Sequence, residues 1–134
     1  MKAYTDGPYK SFAEETTDAL KDKENLLVAL GTAEGTVKLA TSIDDAIGVL
    51  VDKRPGDPHV NVRLLGKGGT VKVKAGGVIA KGARVTWGTG AKVITLTAVA
   101  GTYRTLGIKL SQGNSADGDI IEVLDTIETR VVTE

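Results

Sequence analysis

Leu27-Val28-Ala29-Leu30-Gly31-Thr32, then Gly35-Thr36-Val37-Lys38-Leu39-Ala40-Thr41, then Ala46-Ile47-Gly48-Val49-Leu50 has an echo later in the same chain. The three pieces can be laid on Arg84-Val85-Thr86-Trp87-Gly88-Thr89, on Ala91-Lys92-Val93-Ile94-Thr95-Leu96-Thr97 and on Thr105-Leu106-Gly107-Ile108-Lys109. Each copy reads as a hairpin with a glycine-bounded turn, a linker, and a strand with glycine between two large aliphatic residues. Each continues through an acidic turn, Gly56-Asp57 or Gly118-Asp119, into a last apolar strand over residues 60–64 or 120–124. A repeated supersecondary unit predicts a pseudo-symmetric β architecture. A glycine inside each strand marks a close backbone approach or a bend, such as a barrel corner.

The rest of the chain from Asn25 onward has the same character. Short runs of Val, Ile, Leu and Thr are punctuated by Gly, Asp and Asn, the pattern of an all-β sandwich or barrel. Strands are expected over residues 26–30, 36–40, 46–51, 59–65, 70–74, 83–87, 92–96, 104–110, 119–124 and 128–133. Val60, Val62 and Leu64 alternate with Asn61 and Arg63, and Val71 and Val73 alternate with Lys72 and Lys74. Such alternation buries one face of a strand. Residues 1–24 differ, being polar and charged with a Gly7-Pro8 breaker. They read as an N-terminal arm; Ser11 and Glu14 form a capping-box pattern, and a short helix over residues 12–23 is an expectation. Residues 25–134 then form a single β domain, a small pseudo-duplicated barrel or sandwich of short strands.

Composition narrows the function classes. The 134 residues suit one modest core. Seventeen Lys and Arg balance seventeen Asp and Glu, so no net basic field points to nucleic acid. The absence of cysteine excludes a disulfide framework, thiolate metal sites and thiol nucleophiles. No apolar run approaches the length that spans a bilayer, so a soluble protein without a membrane partner is expected. Aromatic residues are few, which weighs against stacking platforms for sugars or single-stranded bases.

Candidate chemistry is thin. His59 is the sole histidine, so no multi-histidine metal site exists, and after Pro58 it reads as an exposed strand-start residue. The carboxylate pairs Glu14-Glu15 and Asp44-Asp45 are adjacent residues that face apart and read as solvated acidic surface. Gly66-Lys67-Gly68-Gly69-Thr70 is similar to a phosphate-cradling loop but lacks the spacing and leads into a strand, so a hairpin connection is expected. Lys67, Lys72, Lys74 and Lys81 read as a solvated sheet face. Residues 69–85 share a valine, glycine and Lys-Gly pattern with lipoyl and biotinyl carriers, yet neither the Asp-Lys-Ala nor the Met-Lys-Met turn is present. No catalytic group, metal or cofactor is expected, and an enzyme is not.

Several segments, taken in order, carry a family resemblance. They are Ile47-Gly48-Val49, Val60-Asn61-Val62-Arg63-Leu64, Gly69-Thr70-Val71-Lys72-Val73, the step from Gly76-Gly77-Val78-Ile79 through Gly82 to Val85, and Leu106-Gly107-Ile108. Across residues 25–125 the chain resembles the capsid cement (decoration) proteins of tailed bacteriophages, departing from them in a longer, more charged N-terminus. The resemblance implies a virion protein, made in the host cytoplasm, that binds the outer surface of an assembled capsid as homotrimers and reinforces it. Its partners would be the major capsid protein and itself. In that reading Tyr4, Pro8, Tyr9 and Phe12 are the apolar anchors of the arm, which would pair with a capsid strand. The competing reading is a carbohydrate or cell-surface binding module of a virion appendage, with Trp87 and Tyr103 as its aromatic candidates.

Overall fold

The computed structural model describes residues 7–42, 45–53, 56–96 and 100–132. It is all-β. Strands β1 (Tyr9–Glu14), β2 (Leu27–Leu30), β3 (Thr36–Leu39), β4 (Ala46–Lys53) and β5 (His59–Leu64) close into a barrel in the order β1-β3-β2-β4-β5. Strands β6 (Thr70–Lys74), β7 (Arg84–Trp87), β8 (Val93–Thr95), β9 (Gly101–Lys109) and β10 (Ile120–Val132) form a second sheet in the order β6-β10-β9-β7-β8.

The duplication read in the sequence is present in the hydrogen-bond registers. Val28 pairs with Leu39 and Leu30 with Val37, as Val85 pairs with Thr95 and Trp87 with Val93. Val28 meets Gly48 as Val85 meets Gly107. Gly48 in turn pairs with Leu64, and Gly107 with Asp125. The correspondence extends to β1 and β6, which the sequence overlay did not include. Phe12 pairs with Val60 as Val73 pairs with Ile121. Closure is the difference. β1 runs parallel to β3 and completes the barrel, whereas β6 and β8 are joined near their ends by a single parallel bridge, Ala75 to Val93.

The N-terminal expectation is therefore corrected. Residues 9–14 are a barrel strand and not part of an arm, and residues 15–26 run through turns with no helix over 12–23. Asp18, Asp22 and Asn25 take positive φ in this stretch, a conformation that interrupts a right-handed helix. The two strands expected near the C-terminus are one, β10, with a register shift between Asp125 and Glu128. The larger core cluster crosses both units, with Leu27, Ala29 and Val49 of the barrel packed among Val73, Val85, Val93 and Val123 of the sheet. The smaller one fills the barrel with Phe12, Leu20, Val28, Val37, Leu50, Val60 and Val62.

Gly48 and Gly107 show why each copy needs its glycine. A Cβ on Gly48 would lie 2.5 Å from Val62 Cγ1 and 2.6 Å from the Arg63 carbonyl oxygen. A Cβ on Gly107 would collide with the Leu124 carbonyl oxygen and lie 2.8 Å from Val123 Cγ1. These are register-equivalent neighbours, so both units depend on the same close crossing. Gly48→Ala and Gly107→Ala should each lower unfolding free energy by about 1–3 kcal/mol in urea titrations. Gly77→Ala, into open space at ordinary φ, should stay within about 0.5 kcal/mol of wild type.

Candidate interaction surface

A cleft of about 310 Å³ lies where the barrel meets the second sheet. Its walls are Val49, Leu50 and Val51 of β4, Tyr9 and Arg63 on one side, and Thr70, Val71 and Lys72 of β6 on the other, with Asn25 and Glu122 completing it. Asp125 N donates to Gly69 O and Ala75 N to Asp119 O, so Gly69, Val71, Val73 and Ala75 turn their peptide groups toward β10. Thr70, Lys72 and Lys74 then turn theirs toward the barrel, as the Lys74 N to Asn25 O bond of 2.8 Å confirms. The amide of Lys72 therefore faces the cleft. At the mouth Tyr9 is 57 % exposed and Val51 40 % exposed.

Arg63 and Asp125 hold this junction together. Arg63 Nη1 donates to Asp125 Oδ2 at 3.1 Å and to the Leu64 carbonyl. Its Nη2 donates to Gly68 O at 2.5 Å and Thr70 O at 3.4 Å. The Asp125 carboxylate also accepts Gly66 N at 2.8 Å and Lys67 N at 2.9 Å. The Gly66–Gly69 stretch is thus no hairpin connection, since β5 and β6 do not pair. It links the units, and its amides do bind an anion, which is the protein's own carboxylate.

A second buried charge group closes the other side of the barrel. Lys53 Nζ lies 3.3 Å from Glu14 Oε1 and 3.2 Å from Asp18 Oδ1, and donates to Asp57 O at 2.9 Å. Glu14 also accepts Leu20 N at 3.0 Å and Asp18 N at 3.2 Å, seating the turn whose Leu20 plugs the core. This corrects the reading of Glu14 as solvated surface: its side chain is 2 % exposed, while Glu15 points out and accepts Thr32 N. Burial pushes the Lys53 amine down, but hydrogen bonds to Asp18 and Glu14 outweigh it and hold the pKa above the ordinary lysine value.

Of the expected anchors, Tyr4 lies outside the described residues. Pro8 accepts Leu64 N at 2.6 Å through its carbonyl, Tyr9 stands at the cleft mouth, and Phe12 is buried in the barrel core. Phe12 is spent on packing and is not presented as an anchor. Trp87 is half-buried against the larger core and donates from Nε1 to Ala40 O at 3.3 Å. His59 is exposed, with its ring 3.3 Å from Asp57 Oδ1, and shares a small polar hollow with Ser11, Asp52 and Asn61. Asp45 caps a surface turn by accepting Thr41 Oγ1 and Ser42 N, and Asp44 lies outside the described residues. Among the described residues no three His, Cys, Asp or Glu side chains are placed to hold a metal ion.

A raised amine pKa stabilises the fold below the ordinary lysine range, and that stability is lost as pH climbs through the folded value. Denaturant midpoints should therefore fall in the alkaline range above ordinary lysine titration, and Lys53→Met should show a smaller fall over the same range. Equal falls in the two proteins would contradict the assignment. Compared with known proteins, the chain matches no family model and no curated sequence.

Proposed function

We propose that this chain is a capsid decoration (cement) protein, binding the outside of an assembled phage capsid as trimers and stabilising it. The observation that carries the reading is the cleft, where exposed Tyr9 and Val51 border a β6 edge whose Lys72 amide is turned into it. Such a seat suits an extended segment of a coat protein: main-chain hydrogen bonds to the edge supply affinity and the apolar rim supplies register. The resemblance in strand order across residues 25–125 points the same way. So does the core that the two β units share, since a surface held by packing costs little ordering on binding. Tyr9 is the anchor residue in this arrangement, and residues 1–8 lead into it.

Sedimentation with expanded capsids tests the proposal. The protein should pellet with assembled shells at a saturating, lattice-like ratio and stay in the supernatant with unassembled coat subunits. Tyr9→Ser should weaken binding at least several-fold without altering the melting temperature, because the ring is exposed. Binding to free subunits alone, or to neither form, would refute it.

A further inference from the structure

We propose that the contact with the coat extends out of the cleft and across the outer face of the second sheet, where Leu110 and Ile120 form a second pair of anchors. The proposal rests on the decoration reading and enlarges the surface assigned to it. An antiparallel sheet commonly packs one face and wets the other, so its outer face is expected to be polar. In β6 it is: Val71 and Val73 are buried, and Thr70, Lys72 and Lys74 point outward. In β10 Ile121 and Val123 are buried, and the outward residues are Ile120, Glu122 and Leu124. At the end of β9 Lys109 is buried, and its neighbours Ile108 and Leu110 take the outer face. Ile120 is 53 % exposed and Leu110 38 % exposed.

The registers set these side chains in rows. Lys72 lies opposite Glu122, and Leu110 N donates to Glu122 O at 2.8 Å, so Lys72, Glu122 and Leu110 run side by side across three strands. Thr70, Leu124 and Ile108 make the row on one side, and Lys74 with Ile120 the row on the other. Opposed side chains in an antiparallel pair start about 4.5–5.5 Å apart, and diagonal neighbours are within reach of long ones. Glu122 is therefore set among apolar side chains, with Ile120 and Leu124 along its own strand and Leu110 beside it. Lys72 and Glu122 also line the cleft, whose rim carries Tyr9 and Val51. One surface thus runs from Tyr9 and Val51 over Lys72 and Glu122 to Leu110 and Ile120. Of the seven large apolar side chains exposed among the described residues, these are four. Scattered singly they would need no explanation, but gathered on one face they mark a contact.

Continuity with the cleft assigns this face to the coat, and its charges argue against a second copy in the free protein. Permanent interfaces between copies are depleted of charged residues at their centre. Here Lys72 and Glu122 stand in the middle of the strip, where Glu122 Oε2 accepts Thr70 Oγ1 at 3.0 Å, and they keep it wetted until a coat subunit covers it.

Sedimentation with expanded capsids, together with light scattering of the free protein, tests the extension. Ile120→Ser and Leu110→Ser should each weaken capsid binding about tenfold, as loss of an interface anchor does. Leu30→Ser at the end of β2 and Val78→Ser beside β8, both more exposed than Ile120, should bind as wild type. All four should keep the wild-type melting temperature and the wild-type mass in free solution. Wild-type affinity in the Ile120 and Leu110 variants, with Tyr9→Ser still weakened, would confine the contact to the cleft and overturn the extension while the decoration reading stood. Equal weakening in all four variants would overturn it as well. A lower free mass in Ile120→Ser or Leu110→Ser would assign the face to a second copy, against the proposal. Wild-type protein that ignores capsids would overturn the decoration reading itself, and the extension with it.

Discussion

The buried pair of Arg63 and Asp125 sets how the two halves of this protein meet. In the duplicated registers each partner stands where the other unit has a leucine: Val49 pairs with Arg63 as Ile108 pairs with Leu124, and Gly48 pairs with Leu64 as Gly107 pairs with Asp125. Two leucines would have met the needs of burial. A buried ion pair adds little net stability over a well-packed apolar one, and its value lies in geometry. Here the guanidinium takes carbonyls at Leu64, Gly68 and Thr70 while the carboxylate takes the amides of Gly66 and Lys67, so one pair fixes the whole linker. Loss of either partner would leave the other charge buried and the linker amides or carbonyls unmet.

From that junction follow the cleft and the shape of the second sheet. Fixing β6 beside the barrel creates the cleft and orients the Lys72 amide into it. β6 accompanies β10 along Ile120–Leu124, and β9 runs beside β10 on to Val132. The first unit completes its hydrogen bonding by closing on itself through β1 and β3, so the barrel has no strand edge to offer. The second unit closes through a single bridge and keeps its edges. Divergence between the copies also reached the core. Lys109 occupies the register position of Leu50, and its buried amine reaches the Ser111 and Gly113 carbonyls at 2.9 and 2.6 Å. One copy has become a closed barrel and the other an open sheet.

Much of this was legible in the sequence because the information was local. The alternation of Val60, Val62 and of Val71, Val73 marks buried strand faces, and Gly48 and Gly107 mark the close crossings that the structure contains. What escaped was non-local. β1 carries a single large apolar residue pointing inward, Phe12, and its other buried inward residue is Glu14, so the strand has no apolar period; Lys53, thirty-nine positions away, together with the amides of Asp18 and Leu20, makes a carboxylate there tolerable. Laying Tyr9–Glu14 on residues 70–75 is the one signal that could have found it. Asp125-Thr126-Ile127 reads as an interruption, yet Asp125 is held from behind by Arg63 and the strand passes through with a bulge. Sequence spacing carries no trace of an ion pair between residues 63 and 125.

A protein that merely sits on a shell and one that cements it would share every contact described above, and they differ in the free energy that binding adds to the assembly. The thermal disassembly of expanded capsids, followed by light scattering with and without saturating protein, reads that quantity directly. The account predicts a higher disassembly temperature in the presence of the protein, with the increment growing as the sites fill. Shells that carry the protein at full occupancy and come apart at an unchanged temperature would contradict it.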